Sequence, residues 1–98
     1  MTYRKKIEIQ AKEWTDRTYG NSYFSSRITI DDKVVRVTEM DSGYGEAYLH
    51  NAMQWLRDEG HIPAKMRFAT EGKDFGIAMF YNIETGCRKR EVEDYGRA

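Results

Sequence analysis

The stretch SYFSSRITIDDKVVRVTEM, Ser22 to Met40, decides the fold. In its first half Phe24, Ile28 and Ile30 fall on one side of an extended chain and Tyr23, Ser25, Arg27 and Thr29 on the other. That period of two marks a half-buried strand. Asp31 and Asp32 then supply a turn, because short Asx side chains bond nearby backbone and tolerate left-handed conformations. Residues 33–40 return as a β-branched strand. Upstream, residues 5–13 (KKIEIQAKE) alternate as well, with Ile7, Ile9 and Ala11 opposed to Lys6, Glu8, Gln10 and Lys12. Three strands joined by short connections predict an antiparallel meander.

From Glu46 to Glu59 the period changes. Leu49, Ala52, Met53 and Leu56 recur at helical spacing, widened by Tyr48 and Trp55, while His50, Asn51, Gln54 and Arg57 take the other side. Glu46 suits the positive end of such a helix, and Gly60 and Pro63 stop it. Beyond Pro63, KMRFAT and FGIAMFYNI read as strands across a turn at residues 71–74, and Thr85-Gly86 allows a hairpin into CRKREV. The expected class is α+β: an antiparallel sheet of five or six strands, ordered βββαββ with room for the sixth, and one helix packed on a face. A chain of 98 residues holds a single domain over positions 1–98. Its tail from Glu91 (EVEDYGRA) lacks apolar periodicity and is expected to fray.

Composition narrows the functional classes. Cys87 is the only cysteine, so no intrachain disulfide forms. No run of eighteen apolar residues and no leader-like apolar segment occurs, which predicts a cytoplasmic chain without a membrane span. Sixteen Lys and Arg balance sixteen Asp and Glu, removing the whole-molecule field that steers proteins to nucleic acid. The distribution is uneven: residues 1–38 carry eight basic and five acidic groups, and residues 39–60 carry one and five.

No catalytic or metal motif is legible. His50 and His61 sit at opposite ends of a helical segment, too far apart to share a metal within one chain. Cys87 has basic neighbours in Arg88, Lys89 and Arg90 but no positioned base. Gly43-Tyr44-Gly45 precedes a helix without the Lys-Ser or Lys-Thr ending of a phosphate loop. Neither catalytic residues, nor metal ligands, nor a cofactor are therefore expected, and the chain does not read as an enzyme.

Loop aromatics are the better lead, since tyrosine and tryptophan give large, stiff, amphipathic contact area. The candidate binding set is Trp14, Arg17, Tyr19, Asn21, Tyr23, Tyr44 and Glu46, on the premise that the rings are displayed rather than consumed in the core. A nucleic-acid surface built from Arg4, Lys5, Lys6, Arg27 and Arg36 is the alternative. An exposed edge strand would also allow a homodimer.

The run WTDRTYGNSYFSSR (Trp14–Arg27), followed by Tyr44-Gly45 and a helix bearing Tyr48, Leu49, Ala52 and Leu56, resembles small phage- and prophage-encoded proteins with a WxDxxxGNxYxS-like segment. The resemblance covers roughly the first sixty residues and carries no activity to any position. It implies a setting in which small proteins occupy host proteins or protein complexes, among them antiviral defence complexes such as CRISPR effectors.

Overall fold

A computed structural model describes residues 5–43 and 45–97. Strands β1 (Lys5–Thr15), β2 (Ser22–Ile30) and β3 (Lys33–Ser42) form the antiparallel meander, and helix α1 (Ala47–Asp58) follows. At the β2–β3 turn Asp31 and Asp32 adopt φ of +49° and +68°. Left-handed geometry at both central residues matches the twist of the flanking strands. The Asp31 carboxylate also accepts the Lys6 backbone N–H at 2.9 Å, tying the turn to β1.

The second half departs from expectation. KMRFAT is not a strand: the chain turns there and enters a 3₁₀ helix, Ala69–Phe75. Its buried positions, Met66 and Ala69, lie three apart instead of two. One oxygen of Glu71 caps the turn by accepting the N–H groups of Arg67 (2.9 Å) and Phe68 (2.8 Å). Strand β4 (Ile77–Glu84) then pairs with β1 in parallel, from Lys5 opposite Ile77 to Lys12 opposite Glu84. With one strand fewer between α1 and β4, the chain arrives running the other way. The sheet is thus four-stranded and mixed, ordered β3-β2-β1-β4, where five or six antiparallel strands were expected.

CRKREV is likewise no strand. Helix α2 spans Lys89–Tyr95, capped where Glu91 accepts the Arg88 N–H at 3.3 Å and laced by a Lys89–Glu93 pair at 3.9 Å. The segment expected to fray from Glu91 therefore holds most of a helix, with Val92 fully buried.

Register sorts the side chains onto two faces. Ile7, Ile9 and Ala11 of β1 stand opposite Ile30, Ile28 and Ser26 of β2, and this row is buried together with Tyr48, Leu49, Ala52, Met53 and Leu56 of α1. Ile7, Ile9, Ile28 and Leu56 are wholly inaccessible, each contributing roughly 1.5–3 kcal/mol as an upper figure. The face assigned to solvent is covered by α2. There the Arg27 guanidinium lies 4.4 Å over the Tyr95 ring and donates to the Tyr95 carbonyl at 3.0 Å, while the Tyr95 hydroxyl donates to Gln10 at 3.3 Å. Helices on both faces replace the expected helix on one. Among the described residues no helix is long and apolar enough to cross a membrane.

Close approach of α2 has a visible cost. Gly96 ends the helix so near the sheet that a Cβ there would sit 3.0 Å from Glu39 Cα, Ser25 Cβ and the Thr38 carbonyl oxygen. Beneath it the Ser25 hydroxyl is buried with no hydrogen-bond partner among the described residues. Gly96→Ala should lower unfolding stability by about 1–3 kcal/mol through overpacking. Ser25→Ala, which removes an unsatisfied group, should leave stability unchanged or raise it. Urea titration checks both, and an unaltered midpoint for Gly96→Ala would refute the docking of α2.

Candidate functional site

The distal end of the sheet is shaped by three local features. In the β1–β2 hairpin the Asp16 N–H donates to the Asn21 carbonyl and the Asp16 carbonyl accepts from Gly20 N–H, both at 2.7 Å. The Asp16 carboxylate accepts the Thr18 N–H at 2.8 Å, an Asx turn. At the end of β3, Gly43 (φ +151°) donates to the Ser22 carbonyl at 2.9 Å, and a Cβ there would meet Ala47 Cβ at 2.8 Å and the Phe24 ring at 3.0 Å. Only glycine fits that position. The Glu46 carbonyl then accepts the N–H groups of Leu49 and His50, both at 3.0 Å, opening α1.

Between these pieces runs a groove of about 660 Å³. Glu13 and Ser22 form its floor on the sheet, Glu46 and Tyr48 its wall at the start of α1, and Tyr81 and Ile83 its wall on β4. Their common side follows from register, which sets Glu13 opposite Phe24 and Ile83 beside Ala11 on the α1 face.

Glu13 gives the groove its chemistry. It occupies the last place in the row Ile7, Ile9, Ala11, and only 9% of its surface is exposed. Among the described residues no hydrogen bond or ion pair engages its carboxylate. Its carboxylate therefore opens into the groove, free to pair with a bound cation. Glu46 adds a second carboxylate at the groove's edge. Burial first, then the charge of Glu46 and the neighbouring Tyr81, hold the Tyr48 phenol above its ordinary pKa. It stays protonated at neutral pH, able to donate a hydrogen bond while offering a π face. Two carboxylates beside two phenol rings suit a cationic group.

The predicted residues are divided by the fold. Glu46 lines the groove, and Gly20 of the hairpin closes one end. Tyr19 stands 78% exposed at the hairpin tip, flanked by exposed Arg17 and Asn21. Trp14 and Tyr23 lie on the opposite face, where their rings stack at 5.4 Å with Lys89 Nζ 5.6 Å over the indole. Those two rings are half-buried and stacked on each other, with Trp14 linked to α2 through Lys89. Tyr44 lies outside the described residues. Glu13, Tyr48 and Tyr81 were not in the predicted set. Extending the alternation of β1 by one step would have exposed Glu13 as a carboxylate on the apolar row.

The remaining chemical candidates stand apart. His61 stacks on Trp55 at 5.3 Å, and its carbonyl accepts Lys5 Nζ at 2.7 Å. Cys87 donates its thiol to the Glu84 carboxylate at 3.3 Å, and Lys12 pairs with the same carboxylate oxygen at 3.5 Å. Glu84, Cys87 and Glu91 could present ligand atoms within 4.8 Å of one another. Burial and the Glu84 carboxylate push the thiol pKa up, which keeps it protonated and slow to react at neutral pH.

Alkylation of Cys87 by iodoacetamide at pH 8 should therefore be slower in the folded chain than in urea. Glu84→Gln should raise the folded rate by roughly threefold or more through removal of the adjacent anion. Equal rates in folded and unfolded chain would refute the protected thiol. Comparison of the sequence with protein-family models, and of the chain with curated proteins and solved structures, returns no match.

Proposed function

We propose that this chain is a non-enzymatic interaction protein that binds a host protein by receiving one of its basic side chains in the Glu13–Glu46 groove. The carrying observation is Glu13, a residue nine-tenths buried whose carboxylate opens into a groove walled by Tyr48 and Tyr81 and has no partner among the described residues. An arginine matches this lining best, because its guanidinium pairs with carboxylates and stacks on rings at once. Tyr19, Arg17 and Asn21 extend the contact surface along the hairpin beside it. The resemblance of Trp14–Arg27 to segments of phage-encoded proteins makes an antiviral defence complex the first partner class to test.

A protein is favoured over nucleic acid by the state of the basic residues. Lys6 is paired with Asp32 at 2.7 Å and Glu8 at 3.3 Å, Arg27 is held on Tyr95, and Arg36 lies 5.3 Å over Trp55 with a 3.4 Å bond to Asn51. Arg27 and Arg36 point to opposite faces, and Arg4 lies outside the described residues. Among the described residues the basic groups of the first three strands are thus split between faces and largely engaged, which leaves few free to neutralise phosphates.

Capture of partners from bacterial lysate, followed by affinity measurement on the recovered protein, tests the reading. Glu13→Gln should weaken binding at least tenfold, roughly the effect of removing one member of a buried charge pair. The same variant should fold as stably as the parent, since it is isosteric and breaks no hydrogen bond or ion pair among the described residues. Tyr19→Ala should cost less, about threefold. Binding unaltered by Glu13→Gln, or recovery of nucleic acid alone, would overturn the proposal.

A further inference from the structure

The geometry points to β4 as a self-pairing edge, through which two copies of this chain join in an antiparallel ladder and form one eight-stranded sheet. The sheet order leaves β3 and β4 at the two borders, and the borders differ. The ladder of β3 with β2 is broken by register shifts at Phe24/Ser26 and at Ile28/Thr29, and β3 carries Lys33, Arg36, Glu39 and Asp41. Bulges and charges are the devices that protect an edge from association.

Edge β4 has none of them. Its eight residues, IAMFYNIE, pair with β1 in unbroken register, contain no proline, lysine or arginine, and hold a single charge, Glu84, at the far end. No strand among the described residues covers its outer side. Phe80 is 56% and Tyr81 42% exposed, and Phe68 is exposed beside Tyr81. A largely apolar border in unbroken register, charged only at its last residue, is a pairing template.

Self-complementarity selects a second copy as the occupant. In an antiparallel pair related by a two-fold axis normal to the sheet, opposed residues share a face, so their numbers have the same parity. Centred on Phe80, the ladder sets Phe80 against the partner's Phe80 and Ala78 against the partner's Asn82 on the α2 face. On the α1 face it sets Met79 against the partner's Tyr81 and Ile77 against the partner's Ile83. Every opposed pair is uncharged. Glu84 falls opposite the partner's Gly76, and the two copies of Glu84 lie at opposite ends, so no like charges meet.

A single strand per copy buries less than a standard interface, so the dimer should dissociate on the order of 10 μM. Sedimentation equilibrium of the full chain from about 1 μM to 1 mM reads this directly. The mass should rise from 11.5 kDa to twice that value. Phe80→Lys, which places two ammonium groups face to face at the centre, should raise the dissociation constant at least tenfold. Val34→Lys on the β3 border should leave it unchanged. Both positions are more than half exposed, so both variants should keep the parent's circular dichroism. Amide exchange in residues 77–84 should slow as concentration rises. A wild-type monomer throughout the range would overturn the assignment. So would open-ended polymers, a dimer indifferent to Phe80→Lys, or a dimer abolished by Val34→Lys. Dimerisation retained in Glu13→Gln keeps this test separate from the groove.

Discussion

Parallel pairing of β1 with β4 is the constraint on which the molecule depends. A parallel neighbour cannot be reached by a tight turn, so the chain between Ser42 and Ile77 must cross a face of the sheet. That crossing is made by α1 and the 3₁₀ helix, and it brings Leu49, Ala52, Met53 and Leu56 onto Ile7, Ile9 and Ile28. The N-terminal meander alone would have one apolar face open to water. Joined to β4 and roofed by the crossing, it becomes the middle of a closed core.

Sequence made the first half of this legible because β1, β2 and α1 each follow a single period over nine or more residues, and β3 is marked by its β-branched run after the Asp31-Asp32 turn. Local signals also agreed there, as when Asp31 and Asp32 took the left-handed turn that their side chains tolerate. The second half lacks such runs. KMRFAT has the composition of a strand, yet its fate is set by Glu71, whose carboxylate caps the turn from three residues downstream of Phe68. CRKREV offers one large apolar residue, Val92, and seven helical residues are too few for a periodic signal. What stabilises α2 is tertiary: Arg27 on Tyr95, and the close seat of Gly96 over Ser25.

The same division explains the site. Alternation along β1 places Glu13 on the core side, but only the parallel arrival of β4 supplies Tyr81 and Ile83 to wall it in. Glu46 could be read from its place before α1, and Tyr19 from the polarity of its loop. Trp14 and Tyr23 could not be assigned without α2, because ring exposure depends on a helix that sequence did not reveal. Tyr19 is thus displayed at the hairpin tip, while Trp14 and Tyr23 stack on each other on the α2 face.

Both proposed contact surfaces sit on β4, and its register governs both. Successive side chains point to opposite faces, so a slip of one residue would exchange Tyr81 and Ile83 for Phe80 and Asn82 in the groove wall. Gly72 guards against that slip. A Cβ at this position would lie 2.6 Å from Met79 Cγ and 2.7 Å from the Ile77 carbonyl oxygen, so the 3₁₀ helix is seated directly on the start of β4. Met79 stands opposite Ile7 in the ladder, which carries the constraint into the middle of the core. The glycine that allows this contact therefore fixes which β4 side chains face the groove and which face the other side of the border.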